Sequence, residues 1–143
     1  MDIMDYLYAP IATIDIAWRA WLISGLLVVN LSITIYFFRG RIVSKKNEIL
    51  RTILFSFVPL FLIWIISDVF KVPPKEGMLD WAKLSFPTYV VGFLLLFNFI
   101  QAVYRVWINR ANLWIFLSLV SIPLWLSAVA TFIALMELNG AWI

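Results

Sequence analysis

Long apolar runs, separated by short polar stretches, make up most of the chain. Four runs reach the length of about 20 residues that a helix needs to cross a bilayer. They cover residues 18–38, about 52–70, about 87–104 and about 113–138. Aromatic residues such as Trp18, Tyr104 and Trp114 lie near their ends, where rings favour the headgroup level. The pattern predicts an all-α integral membrane protein with four transmembrane helices in an antiparallel bundle, one domain over residues 1–143.

The connections between the runs are too short to hold a soluble domain. The first, 39–51, is rich in Lys and Arg, and the second, about 71–86, contains Pro73, Pro74 and Gly77, which are typical of turns. The third, 105–112, is tight. We therefore expect the last two helices to be antiparallel neighbours.

The first 17 residues differ from a cleavable signal, because they hold three Asp and no Lys or Arg. Ile3, Leu7 and Ile11 recur at nearly helical spacing, while Pro10 is expected to break or bend a helix. The pattern predicts a short interfacial helix over residues 2–9, outside the membrane, that leads through Pro10 into the first span. A partner-binding helix is the alternative interpretation.

Composition excludes a soluble protein and much of the usual catalytic chemistry. Hydrophobic residues make up 64% of the chain and charged residues 13%, whereas a soluble domain has about 45–50% apolar and about 25% charged residues. The chain has no His and no Cys, which removes His-ligated haem, Cys and His zinc sites, thiol nucleophiles and Ser–His catalysis. We expect no cofactor, no metal and no enzymatic activity.

The distribution of Lys and Arg predicts the orientation. Seven lie in the first and third connections and four on the opposite side. Because cytoplasmic loops carry the excess of positive charge, both termini are expected on the non-cytoplasmic side, most simply of a bacterial inner membrane. The first connection is also expected to contact lipid headgroups, through Arg39, Arg41, Lys45, Lys46 and Arg51. No motif indicates a nucleic-acid partner.

Two spans carry amide side chains at matching depth. Asn30 and Thr34 are four residues apart on the first span, and Asn98 and Gln101 share one face of the third. At about 1.5 Å per residue, Asn30 lies roughly 13 Å and Asn98 roughly 10 Å from the basic end of its span. These residues are predicted to make interhelical polar contacts, with a hydrogen bond between the two asparagines. A polar lining for a substrate path is the alternative.

Proline and small residues predict local features of the spans. Pro59 and Pro123 should kink the second and fourth spans, with Ser56 and Ser121 close enough to satisfy the freed carbonyls. Small side chains suited to close helix approach also occur on the third and fourth spans; they are Gly92, Ser127, Thr131 and Ala134.

Ionisable residues collect at the outer ends of the spans. Asp15 and Arg19 have the i, i+4 spacing of a helical ion pair, while Asp68 and Glu137 end the second and fourth spans. One interpretation is that they anchor the span ends at the interface. The other is a proton or cation site built from Asp68 and Glu137, with Arg19 as gate or counter-ion. A coupling site usually lies near the bilayer midplane, where this sequence has no carboxylate.

The functional prediction is a non-catalytic accessory, assembly or regulatory subunit of a larger membrane protein complex, which acts through transmembrane helix packing. Such a protein needs spans, interfacial anchors and exposed helix faces, and the chain is built of these. The alternative is a small homo-oligomeric transporter or channel for an ion or small solute. The expected partners are the lipid bilayer and other membrane protein chains or copies of itself.

Overall fold

The computed structural model describes the backbone of residues 3–73, 79–80 and 82–141, and the side chains from Trp18 onward within those ranges. Its elements are helices: α1 (Ile3–Phe37), α2 (Arg39–Ser44), α3 (Lys46–Phe70), α4 (Phe86–Ile108), a 3₁₀ turn (Arg110–Asn112) and α5 (Leu113–Asn139). Four stretches are long and apolar enough to span a membrane: Trp18–Phe37, Lys46–Phe70, Phe86–Ile108 and Arg110–Asn139. The all-helical prediction with four such helices is confirmed, and it indicates an integral membrane protein.

The N-terminal segment corrects one prediction. Instead of a short helix that ends near Pro10, α1 is one helix of 35 residues that continues through Pro10. A proline inside a helix removes one N–H donor, here the one that would bond to the Tyr6 carbonyl. The apolar residues on both sides still form their own helical bonds, so the helix continues past the proline. The predicted ion pair of Asp15 with Arg19 involves a side chain that lies outside the described residues.

The basic connection is also more regular than predicted. Residues 39–51, expected as a loop, form α2 and the first turns of α3. The helical path breaks only at Phe38 and Lys45, where φ is −108° and −110° and ψ is 19° in both. Lys, Arg, Asn and Glu dominate this segment, and the charged ones are good helix formers. These residues and the lack of a proline between positions 39 and 51 favour helix over an irregular loop.

α5 is the helix around which the others pack. It contacts α1, α3 and α4, and α3 and α4 also contact each other. The apolar centre is a cluster of Ile63, Val91, Ala134 and Leu138, each at most 1% exposed. Ser127, Thr131 and Ala134 are buried on α5. The prediction of close helix approach at Gly92 is wrong, because no neighbouring atom lies within 4 Å of the position that a Cβ would occupy.

α1 is attached along one stripe. Its least exposed residues include Ala20, Ser24, Leu27, Leu31 and Thr34. Their spacing alternates between four and three, which places them on one face of the helix. From Trp18 onward, most of the other apolar side chains of α1 are exposed. α1 therefore lies at the side of the other three helices.

Backbone contacts join α3 and α5 at the end of the helices opposite the basic connection. The Val72 N–H donates to the Glu137 carbonyl at 2.9 Å, which holds the chain after α3 against the last turn of α5. α5 ends at Asn139 and is followed by Gly140, whose φ of 65° is in the left-handed region that favours glycine. The Ala141 N–H then donates to the Met136 carbonyl at 3.1 Å.

Candidate functional site

Polar side chains of α1 meet a serine of α5. The Asn30 Nδ2 donates to the Ser118 Oγ at 3.0 Å, and the hydroxyls of Thr34 and Ser118 are 3.1 Å apart. Farther along, the Trp125 Nε1 donates to the Ser24 Oγ at 3.2 Å. Thr34 and Ser118 are almost completely buried. These bonds fix both the rotation and the height of α1 on α5.

A second polar network joins α3, α4 and α5. Asn98 is fully buried, and its Nδ2 donates to the Ser127 Oγ at 2.7 Å. Its Oδ1 accepts from the Gln101 Nε2 at 3.0 Å. The same Nε2 lies 2.8 Å from the Phe55 carbonyl oxygen and 3.3 Å from the Ser56 Oγ. The two amides on α4 thereby connect the helices on both sides.

The bond from Gln101 to the Phe55 carbonyl compensates for Pro59. Residue 59 would normally donate its N–H to the carbonyl four residues earlier, which is that of Phe55. Pro59 has no N–H, so this carbonyl loses its helical partner, and an amide from α4 replaces it. The prediction that Ser56 satisfies this carbonyl is wrong, because its hydroxyl accepts from Gln101 instead. The matching prediction for Ser121 is also wrong: its hydroxyl donates to the Ser118 carbonyl at 2.9 Å, whereas Pro123 frees the carbonyl of Leu119.

The two asparagines have different partners from the one predicted. Within the described part of the chain, Asn30 bonds to Ser118 and Asn98 to Ser127, so the predicted Asn30–Asn98 hydrogen bond is not formed. α1 contacts α5 rather than the amide face of α4, which separates the two residues. Depth along the spans was therefore insufficient to predict the pairing, because it contains no information on which faces meet.

One buried hydroxyl stands apart from these networks. Thr131 on α5 is 8% exposed, and its Oγ1 has no hydrogen-bond partner among the described residues. It lies one turn from Ser127, toward the C-terminal end of α5. A buried polar atom without a partner carries a free-energy cost, so the Thr131 hydroxyl is a buried group with an unused hydrogen bond beside these networks.

The ionisable residues at the end of the helices opposite the basic connection make two separate contacts. The Lys71 Nζ is 3.0 Å from the Asp68 Oδ1, and both side chains are exposed. This hydrogen bond, the charge of Asp68 and the more distant charge of Glu137 raise the pKa of Lys71 above its ordinary value. Glu137 accepts a hydrogen bond from the Ser67 hydroxyl. Asp68 and Glu137 therefore have different partners in the described part of the chain, and Arg19 is exposed on α1.

A hydrogen-bond network that was not predicted joins the start of α4 to the end of α5. The Asn139 Nδ2 donates to the Thr88 Oγ1 at 2.9 Å, and the Asn139 Oδ1 accepts from the Ser85 N–H at 2.9 Å. The Ser85 and Thr88 hydroxyls are also 2.9 Å apart. The available signal was local: Ser85 precedes Pro87 as helix starts do, and Asn139 precedes Gly140 as helix ends do. Only the fold brings those two signals together.

The described residues contain no group of three or more His, Cys, Asp or Glu that could hold a metal ion. Comparison with protein-family models, curated proteins and solved structures finds no match.

At the basic end, one carboxylate joins two arginines. Glu48 at the start of α3 lies 3.3 Å from the Arg51 Nη1 and 3.5 Å from the Arg105 Nη1. The Arg105 guanidinium also stacks over the Phe55 ring, 4.9 Å from its centroid. Arg105 therefore holds α4 to α3 through an ion pair and a cation–π contact. Arg51, predicted only as a headgroup contact, is paired with Glu48.

Proposed function

We propose that the protein is a non-catalytic accessory, assembly or regulatory subunit of a larger membrane protein complex. The observation that carries this proposal is the one-sided packing of α1. In the most apolar part of the α1 span, Trp18–Phe37, only 6% of the residues are buried. The corresponding share is 22% in α3 and in α4, and 28% in the span Arg110–Asn139 that contains α5. A helix held along one stripe leaves most of its surface for lipid or for the helices of another chain.

The proposal includes an antiparallel four-helix bundle. Hydrogen bonds and ion pairs between neighbours support it, because residue numbers rise along one helix as they fall along the other. The pairs are Ser24 with Trp125 and Asn30 with Ser118 (α1, α5), Thr88 with Asn139 and Asn98 with Ser127 (α4, α5), and Glu48 with Arg105 and Ser56 with Gln101 (α3, α4). With the basic end on the cytoplasmic side, both termini lie outside, and a bacterial inner membrane is the proposed location.

Satisfied polar contacts support a scaffold rather than a catalytic role. Buried Asn98 and partly buried Gln101 bond to neighbouring helices, and so does Asn30. Hydrogen bonds of this kind contribute about 0.6 kcal/mol each on average in membrane proteins. They fix one arrangement of the four helices, which then presents α1 to a partner in a constant orientation.

Site-specific photo-crosslinking from α1 in native membranes tests the proposal. Leu26 and Ile33 are 61% and 50% exposed and would carry the crosslinker, while half-buried Leu27 on the packing stripe serves as the matched control. We expect adducts with a different membrane protein from the two exposed positions and none from Leu27. Adducts of twice the chain mass would instead support the homo-oligomer, and labelling of lipid alone would overturn the accessory role.

The alternative, a homo-oligomeric transporter or channel, is favoured by one observation. Buried polar residues follow one another through α3, α4 and α5 from Thr52 through Asn98 to Thr131, and Thr131 has an unused hydroxyl. Against this stands the apolar cluster around Ile63 and Val91, which lies toward the outer end from Thr131 and is fully buried.

Flux measurements decide between the two candidates. The purified protein in proteoliposomes is expected to conduct no ion or small solute above the rate of empty vesicles. If it does conduct, Thr131→Val, which removes the hydroxyl and keeps the shape, tests whether the polar series is the path. Flux in the unmodified protein that Thr131→Val abolishes would replace the accessory role with transport.

A further inference from the structure

Nearly all of the uncompensated positive charge lies at one end of the helices. That end holds seven cationic side chains and one carboxylate, Glu48, a net charge of +6; the cations are Arg39, Arg41, Lys45, Lys46, Arg51, Arg105 and Arg110. At the opposite end, the described side chains are three cations and three carboxylates, a net charge of zero; they are Arg19, Lys71, Lys83, Asp68, Asp80 and Glu137. The excess is therefore a property of one membrane surface.

The seven cations fall into two groups. Arg51 and Arg105 share the Glu48 carboxylate. The Arg105 side chain is only 14% exposed, and its guanidinium stacks over the Phe55 ring. These two have an internal structural task. Because Glu48 is the only carboxylate at this end, the remaining cations have no acidic partner within the protein there.

Four of the remaining cations lie within eight consecutive residues. Arg39 and Arg41 are on α2, and Lys45 and Lys46 form its junction with α3; all four are exposed. None of them has an ion-pair partner among the side chains that the structure describes, although Arg41 lies 5.8 Å from the centre of the Phe38 ring. Between the two pairs, Val43 exposes 73% of its surface.

We propose that α2 and its junction with α3, residues 39–46, form a binding surface for the headgroups of anionic phospholipids. This rests on the membrane arrangement proposed above and not on the accessory role. The segment leaves one spanning helix and enters the next within eight residues, so it stays at headgroup depth. Arginine forks match phosphate oxygens, and exposed Val43 adds an apolar contact at the acyl boundary. Clusters of cations next to a span attract anionic lipid in this way.

The test is a lipid titration of the purified full-length protein in a neutral detergent. Phosphatidylglycerol and phosphatidylcholine are added in parallel, and native mass spectrometry measures the bound lipid. Two variants each remove two charges, Arg39→Gln with Arg41→Gln, and Lys45→Gln with Lys46→Gln. Each keeps five basic residues at this end against four at the other, so the orientation in the membrane is preserved. The matched control exchanges Arg39 and Arg41 for Lys, which keeps the charge.

We expect the unmodified protein to bind phosphatidylglycerol at least tenfold more tightly than phosphatidylcholine. Each neutralised cation should weaken that binding roughly fivefold, and 0.5 M salt should weaken it further by screening. The Lys control should retain most of the binding. Equal binding of the two lipids, or no loss in either double variant, would overturn the proposal. Competition by millimolar inorganic phosphate would show that the surface binds the free anion rather than lipid, and would also overturn it.

Discussion

The bond between Gln101 and the Phe55 carbonyl leads to a prediction about coupling. If Gln101 compensates for the missing N–H of Pro59, then its contribution to stability should depend on that proline. Replacing Pro59 with Ala restores an N–H four residues after Phe55, so that the carbonyl regains a partner within its own helix. Gln101→Leu should therefore cost more free energy of unfolding when Pro59 is present than when residue 59 is alanine.

The expected size of this coupling follows from the hydrogen bonds involved. Gln101→Leu removes the amide nitrogen Nε2, which lies within hydrogen-bond distance of three acceptor oxygens. They belong to Phe55, Ser56 and Asn98. Interhelical hydrogen bonds in membranes contribute about 0.6 kcal/mol on average and about 1.7 kcal/mol at most, and a buried acceptor left unsatisfied costs about 1–3 kcal/mol. We expect Gln101→Leu to cost about 2 kcal/mol alone, and about 1 kcal/mol less in the Pro59→Ala background.

A double-mutant cycle measures this coupling. The free energy of unfolding of the four proteins is determined in mixed micelles by titration with a denaturing detergent, with helical circular dichroism as the signal. Effects of Pro59→Ala alone, such as a straighter helix or a small cavity, occur on both sides of the cycle and cancel. Pro123 provides a matched control, since it is equally buried and lies on α5, while Gln101 bonds to α3 and to its own helix.

The outcome distinguishes a specific repair of the backbone from general packing. Coupling near 1 kcal/mol with Pro59, and within about 0.5 kcal/mol of zero with Pro123, supports the repair. Additive costs with Pro59 would refute the reasoning. Equal coupling with both prolines would show that Gln101 responds to helix straightening in general.

Three further outcomes are expected. Asn30→Leu and Asn98→Leu should each cost about 0.6 kcal/mol or somewhat more and should add within about 0.5 kcal/mol, because they bond to different serines; strong coupling in unfolding titrations would show a shared contact. Gly140→Ala should destabilise the protein by about 1 kcal/mol, since φ is 65° there, and an unchanged unfolding midpoint would contradict this. Asp68→Asn should lower the pKa of Lys71, whose raised value means that its stabilising contribution is complete below the ordinary value of 10.5 and is lost at higher pH; an unchanged pKa in NMR titration of the Lys71 side chain would rule out the pairing.

Local sequence determined the class of fold and the position of the long helices. Apolar length alone identifies a helix that can span a bilayer, so the four predicted segments lie within α1, α3, α4 and α5, apart from the single residue Phe38. The asymmetry of Lys and Arg is likewise a property of the sequence and needs no contacts. Residues suited to interhelical bonds, such as Asn98 and Gln101, were identifiable because polar side chains in hydrocarbon need partners.

Tertiary structure decided which residues meet. Asn30 could have faced any neighbouring helix at its depth, and only the packing of α1 on α5 selects Ser118. A serine hydroxyl in a helix reaches only the carbonyls three or four residues earlier, so Ser56 cannot satisfy the Phe55 carbonyl that Pro59 frees, and α4 places Gln101 against it instead. Glu48 similarly acquires Arg105 from a helix far along the chain. Sequence periodicity fixes which residues share a face of one helix, whereas the rotation of that helix and its choice of neighbour depend on the summed packing of all four, which no single segment encodes.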